Sequence, residues 1–127
     1  MIHNKEPIAV LWDFVKSLKS QIPIYREIMH EEEKDVPESY ILLRSKISDS
    51  TKTFGDGKSL IRTASCDIIL ITKGYADNSS KLHNTNKERI REKLKSQEVN
   101  FTEINLGYND SIQSTEHDFT FEVEYFG

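Results

Sequence analysis

One stretch of the chain, Leu60–Lys73, constrains the fold more than any other. Its centre, Ile68–Ile71, consists of four consecutive aliphatic residues. Because successive side chains of a strand point to opposite faces of a sheet, this run predicts a strand that is buried on both faces. We therefore expect a β-sheet with this strand in its middle.

A second predicted strand, Tyr40–Ile47, comes before it and places Ile41, Leu43 and Ile47 on one face. The polar link Ser48–Lys58 ends in a Gly-Asp-Gly sequence. This combination is typical of turns, because glycine adopts positive φ angles freely. The two strands and their link predict a long β-hairpin whose tip stands away from the body of the domain.

The first predicted helix is amphipathic and lies between Pro7 and Pro23. Proline fits the first turn of a helix but blocks its continuation, so the two prolines mark its ends. A second, more charged helix is predicted around Lys87–Lys95. The apolar stripe of the first helix recurs at steps of three and four residues: Ile8, Leu11, Trp12, Val15, Leu18 and Ile22.

The remaining predicted strands are Ile24–Met29, Val99–Leu106 and Phe119–Tyr125. In the last of these, aromatic and aliphatic residues alternate with polar ones such as Glu122 and Glu124, so one face is apolar and the other acidic. This order of elements predicts a single α+β domain over residues 1–127. We expect a mostly antiparallel β-sheet with two helices packed on one face.

Composition narrows the function classes. The chain has 127 residues and a net charge of −4, whereas proteins that wrap duplex nucleic acid carry a basic surplus. The single cysteine, Cys66, excludes an intrachain disulfide, and its apolar surroundings predict a small buried side chain. The first residues lack the apolar core of a signal peptide, and no apolar run approaches the roughly 20 residues that cross a bilayer. We expect a protein assembled in the cytoplasm.

No motif for a catalytic, cofactor or metal site stands out. The four histidines, His3, His30, His83 and His117, lie in polar stretches and are predicted to be surface residues. Gly57-Lys58-Ser59 lacks the earlier glycine of a phosphate-binding loop and joins two strands instead of a strand and a helix. His30 and the glutamates after it are adjacent in sequence, whereas metal ligands usually lie about two to four residues apart. We predict no enzyme activity, no cofactor and no metal.

The layout as a whole carries one resemblance. An amphipathic helix and an acidic segment lead into Tyr40-Ile41-Leu42-Leu43-Arg44, followed by a polar hairpin, the strand Arg62–Lys73, a charged helix and the closing strand Phe119–Tyr125. This layout resembles the tail terminator, or tail-to-head joining, proteins of long-tailed phages. The resemblance spans nearly the whole chain and rests on architecture and size.

The resemblance implies a ring, expected to be a hexamer, that caps the head-proximal end of the tail tube and joins it to the head connector. Such a protein belongs to the virion and needs no chemistry, and DNA passes through its lumen without specific binding. Glu122 and Glu124 are candidates for an acidic lumen, because like charges repel phosphate. The candidates for the interface between subunits are Asp49, Lys52, Phe54, Asp56, Lys58 and Asp67.

Other functions remain open at this point. A small nuclease or hydrolase with a site at a subunit interface would draw on Asp67, His83, His117 and Asp118. A non-enzymatic adaptor of another system would use similar surfaces with different partners. A sheet-based RNA-binding module would expose aromatic residues on a basic face, whereas the aromatic residues of Phe119–Tyr125 alternate with glutamate.

Overall fold

The computed structural model of the chain describes residues 2–26, 37–53, 60–77 and 79–126. The protein is α+β, as predicted, with a strand-rich sheet and two α-helices. The elements in chain order are β1 (Ile2–His3), α1 (Pro7–Val15) with a 3₁₀ turn at Lys16–Leu18, β2 (Ile24–Arg26), β3 (Ser39–Thr53), β4 (Leu60–Lys73), α2 (Lys81–Ser96), β5 (Thr102–Asn109) and β6 (Ser114–Phe126).

The sheet is built around β4, which is antiparallel to β3 on one side and to β6 on the other. The central place predicted for this strand is therefore confirmed. β5 continues the antiparallel pattern beside β6, whereas the short strands β1 and β2 form parallel pairs with β6 and β3. The described strands run in the order β1–β6–β4–β3–β2, with β5 next to the first half of β6.

The larger apolar cluster combines residues of both helices with alternate residues of β3, β4 and β6. Cys66 belongs to this cluster and is fully buried, which confirms the predicted small buried side chain. Burial raises the pKa of the Cys66 thiol to about 12, so the sulfur stays protonated. The largest fully buried apolar side chains of the cluster are Leu11, Ile22, Ile41, Leu43, Ile68, Leu70, Ile90, Leu94 and Phe119.

A second, smaller cluster lies on the other face of the same strands. Ile69 and Ile71 of β4 meet Tyr40 and Leu42 of β3, and Tyr25 packs against them. The run of four aliphatic residues is thus divided between two clusters, because alternate side chains leave opposite faces of the strand. Burial of this strand on both faces is confirmed.

Several elements differ from their predicted bounds. β3 continues to Thr53, past the expected end at Ile47, and a bulge between Ile47 and Thr51 absorbs the change of register. β5 continues through Gly107, where a turn was predicted, because a φ of +75° at this glycine accommodates a second bulge. α2 begins at Lys81, ahead of the predicted helix around Lys87–Lys95. Its first turns bury the polar side chains of His83 and Asn86, so the apolar spacing that predicts a helix is missing there.

Truncation of one leucine of α2 tests the packing of this helix. Leu94 is fully buried whereas Leu82, on the same helix, is 41% exposed. We expect Leu94→Ala to lower the free energy of unfolding by about 2–5 kcal/mol, because the variant buries less apolar surface and leaves a cavity in the core. The matched variant Leu82→Ala is expected to lose less than about 1 kcal/mol. Denaturant unfolding of both proteins measures the difference, and equal losses would contradict this packing.

Candidate functional site

The two acidic candidates on β6 lie where the alternation predicted them. Glu122 is exposed and Glu124 is half-buried. Phe121 and Val123, which alternate with these glutamates along the strand, belong to the larger apolar cluster. The acidic and apolar faces of this strand are therefore confirmed. A lumen at the acidic face stays a prediction.

The interface candidates divide between described and undescribed parts of the chain. Phe54, Asp56 and Lys58 lie outside the described residues, as do His30 and the glutamates that follow it. For Asp49 and Lys52 only the backbone, within β3, is described. Asp67 is half-buried on β4, in the middle of the sheet.

Asp67 forms a pair with Asp118, a second carboxylate that the sequence analysis named together with it for the alternative of an enzyme site. Asp67 lies opposite Thr120 of β6, and Asp118 lies opposite Ile69 of β4, so the two aspartates are diagonal neighbours on one face of the sheet. Asp118 is only 8% exposed. Among the described groups, its Oδ1 atom is buried without a hydrogen-bond partner.

The environment of Asp118 disfavours its charged form. Burial raises the pKa of the Asp118 carboxyl to about 7, and the hydrogen bond and the negative charge of Asp67 act in the same direction. Glu116 adds to this effect, whereas the positive charge of Arg44 opposes it. Below about pH 7 the Asp118 carboxyl of the folded protein therefore holds a proton that it shares with Asp67 through their hydrogen bond.

Two histidines lie on the opposite face, between β4, β6 and α2. His83 and His117 are both buried, and their rings meet edge to face at a centroid distance of 6.4 Å. The prediction that they are surface residues is wrong. Polar neighbours in sequence suggested solvent, but His83 sits in the first turns of α2, which face the sheet.

A chain of hydrogen bonds runs from α2 into the sheet beside His83. The Asn86 amide donates to Ser39 Oγ over 3.0 Å, and Ser39 Oγ lies 3.2 Å from Thr72 Oγ1. Thr72 Oγ1 in turn lies 2.6 Å from Nδ1 of His83. Burial, followed by the charges of Lys87 and His117, lowers the pKa of His83 to about 4. His83 is thus neutral, and the threonine hydroxyl can donate to its ring nitrogen.

His117 is tied to an ion pair at the rim of this layer. Its Nε2 atom lies 2.9 Å from Oε1 of Glu103 on β5, and Arg91 of α2 contacts both oxygens of that carboxylate, at 2.8 and 2.7 Å. Hydrogen bonding to Arg91 is the main reason that the pKa of Glu103 falls to about 2. Burial lowers the pKa of His117 despite the carboxylate. Neutral His117 therefore donates its Nε2–H to Glu103.

The four residues considered for catalysis do not form one site. Asp67 and Asp118 lie on one face of the β4–β6 layer, whereas His83 and His117 lie on the other face. His83 and His117 are hydrogen-bonded within the fold, whereas Oδ1 of Asp118 has no partner among the described groups. Within the described residues, no group of three or more histidine, cysteine, aspartate or glutamate side chains could hold a metal ion.

Sequence reasoning missed an exposed apolar strip at β5. Tyr75 is 75% exposed and Leu106 is 50% exposed, which is unusual for side chains of this size. The sequence predicted a strand at Val99–Leu106 but not its exposure. Only the position of β5 outside β6, with no further described strand beyond it, shows that this edge is open. The exposed apolar side chains here, called the β5 strip below, are Tyr75, Ile104, Leu106, Tyr108 and Ile112. They flank both faces of this edge, because Ile104 lies opposite Asp118, whereas Tyr108, beyond the bulge, lies opposite Thr115 on the face of His117.

The opposite edge of the sheet, at β2 and β3, carries positive charge. Arg26 at the end of β2 and Arg44 and Lys46 on β3 are exposed, and Ile47 beside them is 55% exposed. We call these four residues the basic edge. Arg44 and Lys46 lie on the same face as Asp67, whereas Arg26 and Ile47 lie on the opposite face, where the guanidinium carbon of Arg26 is 5.2 Å from the ring centroid of Trp12. Among the described strands, none pairs with residues 44–47 on the side away from β4. A surface depression lined by Arg44, Ser45, Lys46 and Asp67 adjoins this edge.

Comparison with known proteins does not assign a function to the chain. No protein-family model matches the chain, and no curated protein shows significant similarity to it. Neither of the two described α-helices is long and apolar enough to cross a membrane.

The shared proton predicts how stability depends on pH. The pKa of the Asp118 carboxyl is 3.8 in the unfolded chain and about 7 in the folded protein, so at pH values between these two only the folded state holds the proton. Its contribution to stability is complete below about pH 4 and is lost as the pH rises through 7. Asp118→Asn, which keeps a donor for Asp67, should therefore be more stable than wild type by about 1–3 kcal/mol at pH 8.

Urea unfolding at pH 4 and pH 8 measures this dependence. The advantage of Asp118→Asn is expected to shrink towards pH 4. Glu122→Gln, which changes an exposed carboxylate on the same strand, is the matched control and should give the same small difference at both pH values. An Asp118→Asn protein that is destabilised equally at pH 4 and pH 8 would exclude the shared proton.

The buried hydrogen-bond chain predicts a second, pH-independent effect. Thr72→Val keeps the shape of the side chain but leaves Ser39 and His83 without their shared partner. We expect a loss of about 1–3 kcal/mol in the free energy of unfolding, because buried polar groups lose a hydrogen bond. Thr102→Val on exposed β5 serves as the control. Equal unfolding midpoints for the two variants would contradict this assignment.

Proposed function

We propose that this chain is a structural protein of phage or prophage morphogenesis. It caps the head-proximal end of the tail tube as a homo-oligomeric ring, expected to be a hexamer, and joins the tail to the head connector. The proposal rests on the layout of the chain together with the surfaces described above. It places the protein in the virion, at the junction of head and tail.

The observation that carries the proposal is the β5 strip. A strand at the edge of a sheet presents unpaired backbone groups, and natural monomers protect such edges with charge, bulges or a covering segment. β5 has a bulge at Gly107, but its exposed side chains Ile104, Leu106 and Tyr108 are apolar instead of charged, and the ring centroid of Tyr75 lies 6.2 Å from that of Tyr108. Such a surface is typical of a protein that functions in contact with other subunits.

Three polar groups of the described core support an assembly role rather than a catalytic one. His83, His117 and Glu103 are occupied by hydrogen bonds within the fold. A catalytic base must come within hydrogen-bond distance of a substrate, whereas these groups are already hydrogen-bonded to neighbouring side chains of the fold. Their arrangement fits a scaffold that must hold one shape while other proteins dock on it.

The finer architecture belongs to the same proposal. In it, both helices cover one face of the sheet, and the hairpin of β3 and β4 projects from the body towards a neighbouring subunit. Asp49, Lys52, Phe54, Asp56 and Lys58 would then contact that neighbour. The acidic face of β6, with Glu122 and Glu124, would line the lumen, where negative charge keeps passing DNA from binding.

Electron microscopy of the purified chain mixed with assembled tail tubes tests this function. We expect ring-shaped density at one end of each tube, and light scattering should show whether rings also form without tubes. A monomer in isolation agrees with the proposal if the tube templates the ring. A protein that leaves both ends of every tube bare would refute it and would favour an adaptor or an enzyme.

A further inference from the structure

We propose that a gap in the outer edge of β6 binds a short extended segment of another protein, in which a basic residue stands between two apolar residues. β4 pairs with one edge of β6 along its whole length. On the other edge, β5 pairs as far as Thr120, and β1 begins opposite Glu124. Residues 121–123 therefore have no described strand beside them on this edge. The inference goes beyond the proposed ring and does not depend on it.

The gap opens onto a depression in the surface of about 550 Å³. Residues 97–100, which connect α2 to β5, line it together with residues 121–124 of β6. Three residues of a strand extend over about 10 Å. A strand edge with unpaired backbone groups is a template for the addition of an extended peptide. The gap therefore has the form of a site for a segment of about three residues.

The two faces of the sheet differ in chemistry at this gap. On the helix side, the ring centroid of half-buried Phe14 lies 6.0 Å from that of Phe121. On the opposite side, Glu122 is exposed. An added strand directs its side chains alternately to the same two faces. Its residues opposite Phe121 and Val123 would face the aromatic side, and its residue opposite Glu122 would lie beside the carboxylate.

Charge complementarity selects a basic residue for the middle position. The described residues that line the depression include Glu98, Glu122 and Glu124 and no lysine or arginine. None of the ion pairs between described residues includes these glutamates. His3, which also lines the depression, adds no positive charge at neutral pH, because burial lowers its pKa. Opposite charges that face each other on neighbouring strands stabilise the pairing.

The sequence favours another protein over a second copy as the source of the segment. No lysine or arginine of this chain has an apolar residue on both sides. A segment that alternates as the gap requires is therefore missing from the chain itself. The partner is expected to carry an exposed apolar–basic–apolar triplet in a terminal arm or a loop, where the backbone is free to extend.

Synthetic peptides test the site. The probe is the capped peptide Thr-Val-Arg-Val-Thr, and the control peptide Thr-Val-Glu-Val-Thr carries the opposite charge. We expect the arginine peptide, at millimolar concentration, to shift the backbone amide signals of residues 121–123 in an NMR titration of the full chain, and the glutamate peptide to leave them in place. Absence of any shift at residues 121–123 would overturn the inference.

Reversal of one charge makes the test specific. Glu122→Lys should weaken binding of the arginine peptide about 10-fold and should make the glutamate peptide the better ligand. Glu38→Lys changes the net charge equally at an exposed position beside the far end of the sheet, and it should bind as wild type does. Equal weakening by both variants would show only general electrostatic attraction and would contradict the site.

The titration needs no tail tubes, so it separates this inference from the proposed function. Tubes capped by a chain that binds no peptide would overturn the inference alone. Peptide binding by a chain that leaves tubes bare would support the site and refute the ring. Dimers of the purified chain that Glu122→Lys abolishes, without any peptide binding, would assign the gap to a second copy and overturn the inference.

Discussion

The fold depends on the double burial of β4. Antiparallel ladders bind it to β3 and β6 along nearly its whole length, and its aliphatic residues supply both apolar clusters. Ile68 and Leu70 pack with the helices, and Ile69 and Ile71 pack on the other face. Because this strand contributes to both layers, every other element is positioned relative to it. The edges of the sheet are then fixed as the places where further chains can join.

The polar groups near β4 have a different role on each face of the sheet. Beneath α2, hydrogen bonds from Asn86 through Ser39 and Thr72 to His83 connect the helix to two strands. Such a chain is directional, and it defines how the helix lies on the sheet where apolar contacts alone would tolerate sliding. On the other face, Asp67 and Asp118 share a proton, which reduces the charge that the sheet has to bury near neutral pH.

The surfaces give the fold its proposed role. The β5 strip is apolar where edge strands are usually charged, although β5 has a bulge at Gly107, and the basic edge lies at the other end of the same sheet. The acidic row on β6 would then be repeated around the ring.

The sequence alone determined the α+β class, the central strand, the buried Cys66 and the alternation along β6, because these follow from local periodicity and from the aliphatic run. It did not determine the bulges that extend β3 and β5, since a bulge depends on what the partner strand allows.

Burial of His83 and His117 and the pairing of Asp67 with Asp118 were decided by the tertiary structure. These residues lie far apart in the chain, and only the register between β4 and β6 and the docking of α2 brings them together. Exposure of the β5 strip was decided in the same way, because an apolar alternation is buried or open according to which strand lies beyond it.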